Sequence, residues 1–443
     1  MAEERDKSGA SIDRRIELLT PQRRAALEKL IQADRASNAR VPVTRRNDAD
    51  PLVLSYAQQR LWFLDQLAPG LAVYNIPSTF RFDTPIDARV LERSVNEIVR
   101  RHEVLRTTYR AVDGQPRQVV AAMLHVPLNE IDLRDVCEEV REAEALRILA
   151  EEARRPFDLA NGPMIRACLL QLGETDHVLF LTMHHIVTDG WSMTIFFDEL
   201  TALYTAFASG RPSPLPDLTV QYADFALWQR KWLHGERLEK QLAYWRGQLG
   251  DLPMLQLPTD RPRQPTPAFH GARCAMDFNA PLALALKDLS QRQGATLFMT
   301  LLAAFCVLLH RYAQTHDIVV GSPIAGRNRP EIEGLIGFFV NMLVLRVNLT
   351  GDPSFAELLH RVRSVAVGAY AHEDVPFEIL VEQLQPDRDL SRNPLFQVML
   401  QLQSAPPSQR HRAASKVASL DVKPGTAIFD LAVNLWELSL IHI

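Results

Sequence analysis

Apolar residues recur at helical spacing through 12–34, "IDRRIELLTPQRRAALEKLIQAD", with "TPQ" as a start signal for its second stretch. The polar run from Arg35 to Pro51 reads as a linker, and from Leu52 the pattern becomes continuously globular. "HVLFLTMHHI" (177–186) predicts a buried strand, and "WSMTIFFDELTALYTAFASG" (191–210) an amphipathic helix ending at Gly210. "RPSPLPDL" breaks the chain, and one long helix is expected through "YADFALWQRKWLHGERLEKQLAYWRGQL". A surface crossing with four prolines follows, "LPTDRPRQPTPAF". Beyond it, "LALALKDLSQRQG", "TLFMTLLAAFCVLLHRYAQ", "SFAELLHRVRSVAVGAYAH" and "PFEILVEQL" predict helices. "DIVVGSPIAG", "NMLVLRVNL" and "FQVMLQLQ" predict strands. Strands and helices mix on both sides of a Pro-rich middle without a short repeat, so two α/β lobes are expected.

Composition narrows the function classes. Of 443 residues 47% are hydrophobic and 23% charged, which is enough apolar material for two or three domain-sized units. A net charge of −4 leaves no excess of Lys and Arg to neutralise phosphates, which argues against a nucleic-acid binder. No apolar run is long enough to span a bilayer, so no membrane partner is expected. The opening "MAEERDKSGA" lacks a hydrophobic signal core, which predicts a cytoplasmic protein. Cys137, Cys168, Cys274 and Cys306 are scattered and are expected as buried free thiols, with neither a disulfide framework nor a zinc site.

The residues that invite chemistry are His184 and His185, followed by Asp189-Gly190. Neighbouring side chains of a regular strand point to opposite faces, so at most one of the two histidines can face a cleft while the other faces the packing side. A histidine base suits proton transfer near neutrality. A purely structural histidine is the commoner use of such a position. Adjacent imidazoles on opposite faces chelate poorly, so no metal is expected. Asp189 either caps the following helix or pairs with a cation, and Gly190 permits close backbone approach. Trp62, Phe63, Trp191 and Trp228 are read as packing residues.

Read together, seven segments resemble, in order, the motifs of condensation domains of non-ribosomal peptide synthetases. They are "LSYAQQRLWFLDQLAPGLAVYNIP" (54–77), "RHEVLRTTY" (101–109), "MHHIVTDGWS" (183–192), "YADFALWQ" (222–229), "IGFFVNMLVLR" (336–346), "HEDVPFEILVEQL" (372–384) and "RDLSRNPLFQVML" (388–400). The match runs from about Pro51 to Glu437. It implies two lobes, each like a chloramphenicol acetyltransferase subunit, in a V-shaped pseudo-dimer with a tunnel between them. The boundaries expected are 1–50 for an N-terminal helical segment and linker, 51–217 for the first lobe and 218–437 for an incomplete second lobe.

The activity implied is amide formation between a donor aminoacyl or peptidyl thioester and the α-amine of an acceptor aminoacyl thioester. Both would ride on phosphopantetheine arms of carrier domains, with an adenylation domain in the same module. The chain itself is expected to bind no cofactor. By the resemblance, His185 faces the tunnel as the catalytic histidine while His184 is structural, and the Gly190 N–H would be an oxyanion contact. Asp189 would form a structural ion pair with Arg106 or Arg327, and Asn341 would line the tunnel or, equally, be a buried hydrogen-bonded asparagine. "HEDVPFEILVEQL" is assigned no chemistry. The surroundings of the histidines resemble the subtype joining an L-donor to an L-acceptor. The rivals are an epimerisation domain of the same superfamily, a freestanding acyltransferase using coenzyme A thioesters, and an inactive carrier-docking scaffold. The last six residues, "LSLIHI" (438–443), fit no expected element and resemble the translated end of a DNA-library adapter, so they are expected to be non-biological.

Overall fold

The computed structural model describes residues 41–263, 269–384, 392–404 and 425–437. The expected helix over 12–34 and the segment 438–443 lie outside them.

The first half is built on a four-stranded sheet, β1 (Asn75–Phe82), β6 (His177–His184), β5 (Ile165–Gln171) and β4 (Leu128–Asp132), in that spatial order. β6 is antiparallel to both neighbours, and β4 runs parallel to β5. Every residue of β6 is buried, because helices cover both faces of the sheet. Val178 and Phe180 face helix α3 (Glu138–Arg154), where they meet Ala145 and Leu149. Leu179, Leu181 and Met183 face the other side, in one core with helices α2 (Ala88–Arg101) and α4 (Gly190–Ala208). The period of two therefore sends alternate residues of one strand into two different cores. A small hairpin of β2 (Thr107–Val112) and β3 (Gln115–Val120) adjoins this half.

The second half carries β10 (Leu431–Glu437), β9 (Val398–Ser404), β7 (Asp317–Ile324) and β8 (Asn341–Asn348), in that order. Its core joins these strands to α6 (Gly235–Leu249), α8 (Leu297–Ala313), α9 (Phe355–Ala371) and α10 (Phe377–Leu384), with α7 (Ala280–Arg292) beside them. Strands and helices mix in both halves, as expected; in the first sheet the apolar pattern marks only β6.

Three expectations are corrected. The long helix after "RPSPLPDL" is two helices, α5 (Tyr222–Trp232) and α6, broken at Leu233-His234, with Gly235 at φ +58°. The break redirects the chain: Tyr222, Phe225 and Ala226 sit in the first core, Leu242 and Trp245 in the second. The first core also takes Ile332, Leu335, Ile336 and Phe339 from far along the chain, so the cores do not divide cleanly at 217/218. The expected linker ends early, since Val43 is buried and Arg46 reaches Asp224 (2.8 Å) and Glu103 (2.7 Å).

Cys168 and Cys306 are buried as expected, but Cys137 and Cys274 are exposed; all four are free. Trp62 packs on the first core and Trp228 stacks with Phe225 and Trp232, whereas Phe63 and Trp191 are exposed. Among the described residues no single helix is long and apolar enough to cross a membrane, and no group of three His, Cys, Asp or Glu could hold a metal.

Candidate active site

β6 ends at His184, and His185–Val187 form a 3-10 turn before α4. The two histidines therefore part company at a strand end rather than across a regular strand. His184 is buried, and its Nδ1 accepts the Ile186 N–H (3.1 Å). Burial, with help from neighbouring His185, lowers its pKa to about 3, so it stays neutral.

His185 keeps part of its surface open. Its Nδ1 lies 2.7 Å from the Thr188 carbonyl oxygen, which can only accept, so the proton sits on Nδ1 and the Nε2 lone pair is left unprotonated. Burial lowers its pKa below the usual histidine value, and the Arg60 charge acts in the same sense. The Thr188 carbonyl and Asp189 oppose them. A neutral imidazole with a directed lone pair is the form that can take a proton near pH 7.

Asp189 is the N-cap of α4 and is completely buried. Its Oδ1 accepts from the Ser192 N–H (2.8 Å), the Ser192 hydroxyl (2.7 Å) and Arg327 Nη2 (3.2 Å), while Oδ2 accepts the Phe339 N–H (3.0 Å). This carboxylate is occupied on both oxygens by fixed donors. Of the two arginines expected as its partner, Arg327 holds that place. Arg327 Nη1 also donates to the Ile332 (2.8 Å) and Leu335 (2.7 Å) carbonyls. Arg106 is placed elsewhere: it donates to the Ala121 carbonyl and stands 3.9 Å from Glu103, because the hairpin β2–β3 draws it away from α4.

Gly190 opens α4 and is exposed, with open space where a Cβ would stand. A reactant can therefore approach the first turn of a 19-residue helix, where unpaired N–H groups and the helix dipole favour negative charge.

The amide of half-buried Asn341 is engaged by backbone groups. Its Nδ2 donates to the Glu373 (2.9 Å) and Val375 (2.8 Å) carbonyls, and its Oδ1 accepts from the Met342 (2.9 Å) and Phe377 (3.0 Å) N–H groups. It fastens the "HEDVPF" segment to the start of β8.

Several side chains at the site carry no mark in the sequence. His102 is buried, accepts the Ile336 N–H on Nδ1 (3.2 Å) and so donates from Nε2 to Glu199 (3.1 Å), which in turn grips Arg101. Tyr222 donates to the Phe338 carbonyl (2.6 Å) and takes a bond from the Ser55 hydroxyl (2.8 Å). Gln58, in a capping box with Ser55 at the start of helix α1 (Tyr56–Leu67), donates to the Ile186 carbonyl (3.1 Å). A Cβ on Gly337 would overlap the Tyr222 ring, so only glycine lets this segment lie against α5. All of them fall within or beside the quoted motifs; what was missing was which backbone group each would hold.

Comparison with known proteins identifies the family and the fold. One of the proteins that make up the linear gramicidin synthase of Brevibacillus parabrevis is 53% identical over 365 residues, 82% of this chain but 5% of that protein. The chain thus spans a small part of that relative's length. The crystal structure of the X-domain from teicoplanin biosynthesis superposes with a TM-score of 0.81 at 29% identity, over 89% of this chain and 88% of that one. The first condensation domain of the calcium-dependent antibiotic synthetase shares the fold, with a TM-score of 0.72 at 24% identity over 88% and 89% of the two chains. A family profile described as the condensation domain matches residues 48–442, and the chain belongs to the condensation-domain family of non-ribosomal peptide synthetases.

Proposed function

We propose that this chain forms a peptide bond between a donor aminoacyl or peptidyl thioester and the α-amine of an acceptor aminoacyl thioester, in non-ribosomal peptide synthesis. Both substrates are presented through the tunnel on phosphopantetheine arms of carrier domains, loaded by an adenylation domain. Donor and acceptor are L-configured. The observation that carries the reading is the half-open, neutral His185 with its free Nε2, beside the exposed start of α4.

The acceptor nitrogen attacks the thioester carbonyl, the carbonyl oxygen gains charge near the Gly190 N–H, and the C–S bond then breaks. The amine proton passes to His185 Nε2, or is held by it, and is then delivered to the departing sulfur, which leaves as the free thiol. A thioester is already activated, so no enzyme nucleophile is needed; positioning and proton handling supply the acceleration. His184, Asp189 and Arg327 act by holding the strand end and helix start in place, and Arg106 has no part in that ion pair.

The test is a two-carrier assay, with an L-aminoacyl donor on one carrier and an L-amino acid on the other, read by intact-protein mass spectrometry. Dipeptide on the acceptor carrier, lost in His185→Ala, is the expected result. Deuterium wash-in at Cα on a single carrier, without transfer, would replace this reading by epimerisation. Carrier binding without either product would leave a docking scaffold.

A further inference from the structure

Residues 336–339 belong to no strand or helix, yet their backbone is bonded at every position to side chains from the first half of the chain. Ile336 N–H goes to His102, Gly337 N–H to the Ser192 hydroxyl (3.0 Å), the Phe338 carbonyl to Tyr222, and Phe339 N–H to Asp189. A buried loop must satisfy its polar groups somewhere, and here every partner is a fixed side chain. The residue so gripped on both sides, Phe338, lays its ring against the His185 imidazole, with centroids 4.5 Å apart and planes inclined at 50°. Its own side chain stays only half-buried.

The imidazole therefore has two restraints. The Thr188 carbonyl sets which nitrogen carries the proton, but one hydrogen bond still allows the ring to swing about it. A face of carbon at van der Waals distance removes that freedom and keeps water off one side of the ring. From this geometry we infer that Phe338 is a positioning residue for His185: the 336–339 clamp presents it as a wall that fixes the imidazole in its reactive orientation.

The inference rests on His185 acting in the proposed condensation, and it predicts a change in the histidine that is measurable without any substrate. The charged groups acting on His185 are Arg60 from α1 and Asp189 from the start of α4, with neutral His184 beside it, and none is altered by substitution at Phe338. With the wall gone, water reaches the ring and its pKa moves up towards the ordinary value of about 6.5. The sign is opposite to that expected from losing the Asp189 charge.

The experiment compares wild type with Phe338→Ala, Phe338→Leu and Phe338→Tyr. In the full chain with 13C-labelled histidine, the His185 resonance is assigned by its loss in His185→Gln and followed through a pH titration. Expected are an upward shift of the His185 midpoint in Phe338→Ala, a smaller one in Phe338→Leu, and wild-type behaviour in Phe338→Tyr. In the two-carrier assay, kcat should fall by about tenfold or more in Phe338→Ala, while the acceptor KM moves by less than about threefold. Phe338→Tyr should recover the rate. If Phe338→Ala does not fold, Phe338→Leu decides. Unchanged midpoint and kcat in the aromatic-free variant would overturn the inference. If wild type makes no dipeptide, the proposed function fails, and the titration alone then decides whether Phe338 restrains the histidine.

Discussion

The Ser192 hydroxyl lies 3.0 Å from the Gly337 amide nitrogen and 2.9 Å from the Gly337 carbonyl oxygen, so one side chain meets both backbone groups of a residue 145 positions later. It also accepts from Arg327 Nη2 at 2.7 Å and faces Asp189 Oδ1 at 2.7 Å. With both lone pairs taken, its single hydrogen is shared between two acceptors. This oxygen is the point where the helix carrying Gly190 meets the segment carrying Phe338. These bonds specify one arrangement of the two segments, with Arg327 Nε the one atom of that guanidinium left without a hydrogen-bond partner among the described residues.

Ser192→Ala removes four contacts without adding volume. The Gly337 N–H then has no acceptor and Arg327 loses one, so a loss of about 1–3 kcal/mol is expected from the unsatisfied groups. Urea unfolding measures it. A variant as stable as wild type would mean that water enters and replaces the hydroxyl.

Asp189→Ala leaves Arg327 buried and without its counter-charge, which typically costs about 3–5 kcal/mol. Activity should fall together with the melting temperature. A variant with wild-type melting and no dipeptide would instead make Asp189 a participant in the chemistry, which its occupied oxygens argue against.

The apolar pattern carried most elements of the second half, because period two and period 3.6 are written in single residues. Between Leu52 and residue 176 it named no strand or helix, and β1 to β5 and α1 to α3 became visible only in the structure. It carried β6 and α4, and with them the place of His185 and Gly190. It did not carry the break before Gly235, since both helices are apolar on one stripe and only their different cores require the turn. Nor did it choose between Arg106 and Arg327. That choice depends on where a hairpin lands, and no local signal in "RHEVLRTTY" records it. The same holds for Asn341: a half-buried asparagine reads alike whether its amide meets a cavity or a loop carbonyl. The whole 336–339 clamp is legible only after folding, because its partners are spread over residues 102 to 222.

Asn341→Ala should release the 373–377 segment from β8. Two carbonyls and two N–H groups lose their partner, and about 1–3 kcal/mol of local stability goes with them. Hydrogen exchange by mass spectrometry should show faster exchange in peptides covering 373–377 and Met342, and not elsewhere. A raised acceptor KM with exchange unchanged would restore Asn341 as a residue lining the tunnel.

The buried histidines set the response to acid. His184 has its pKa lowered to about 3 by burial, and His102 is lowered by the same cause. In the unfolded chain both take a proton near pH 6.5. Below that value the unfolded state binds protons that the folded state refuses, so stability rises with pH there and is complete above about pH 7. As the pH falls from 6.5 towards 3, His184 alone costs about 1.4 kcal/mol per unit. Protonation at Nδ1 would also expel the Ile186 N–H from His184, and at His102 the Ile336 N–H, loosening both sides of the site at once. Unfolding free energies measured from pH 7.5 to 5 should therefore fall steeply. His184→Gln should remove about one proton from that slope while lowering stability at pH 7.5. Equal slopes for wild type and variant would show that His184 is protonated in the folded protein.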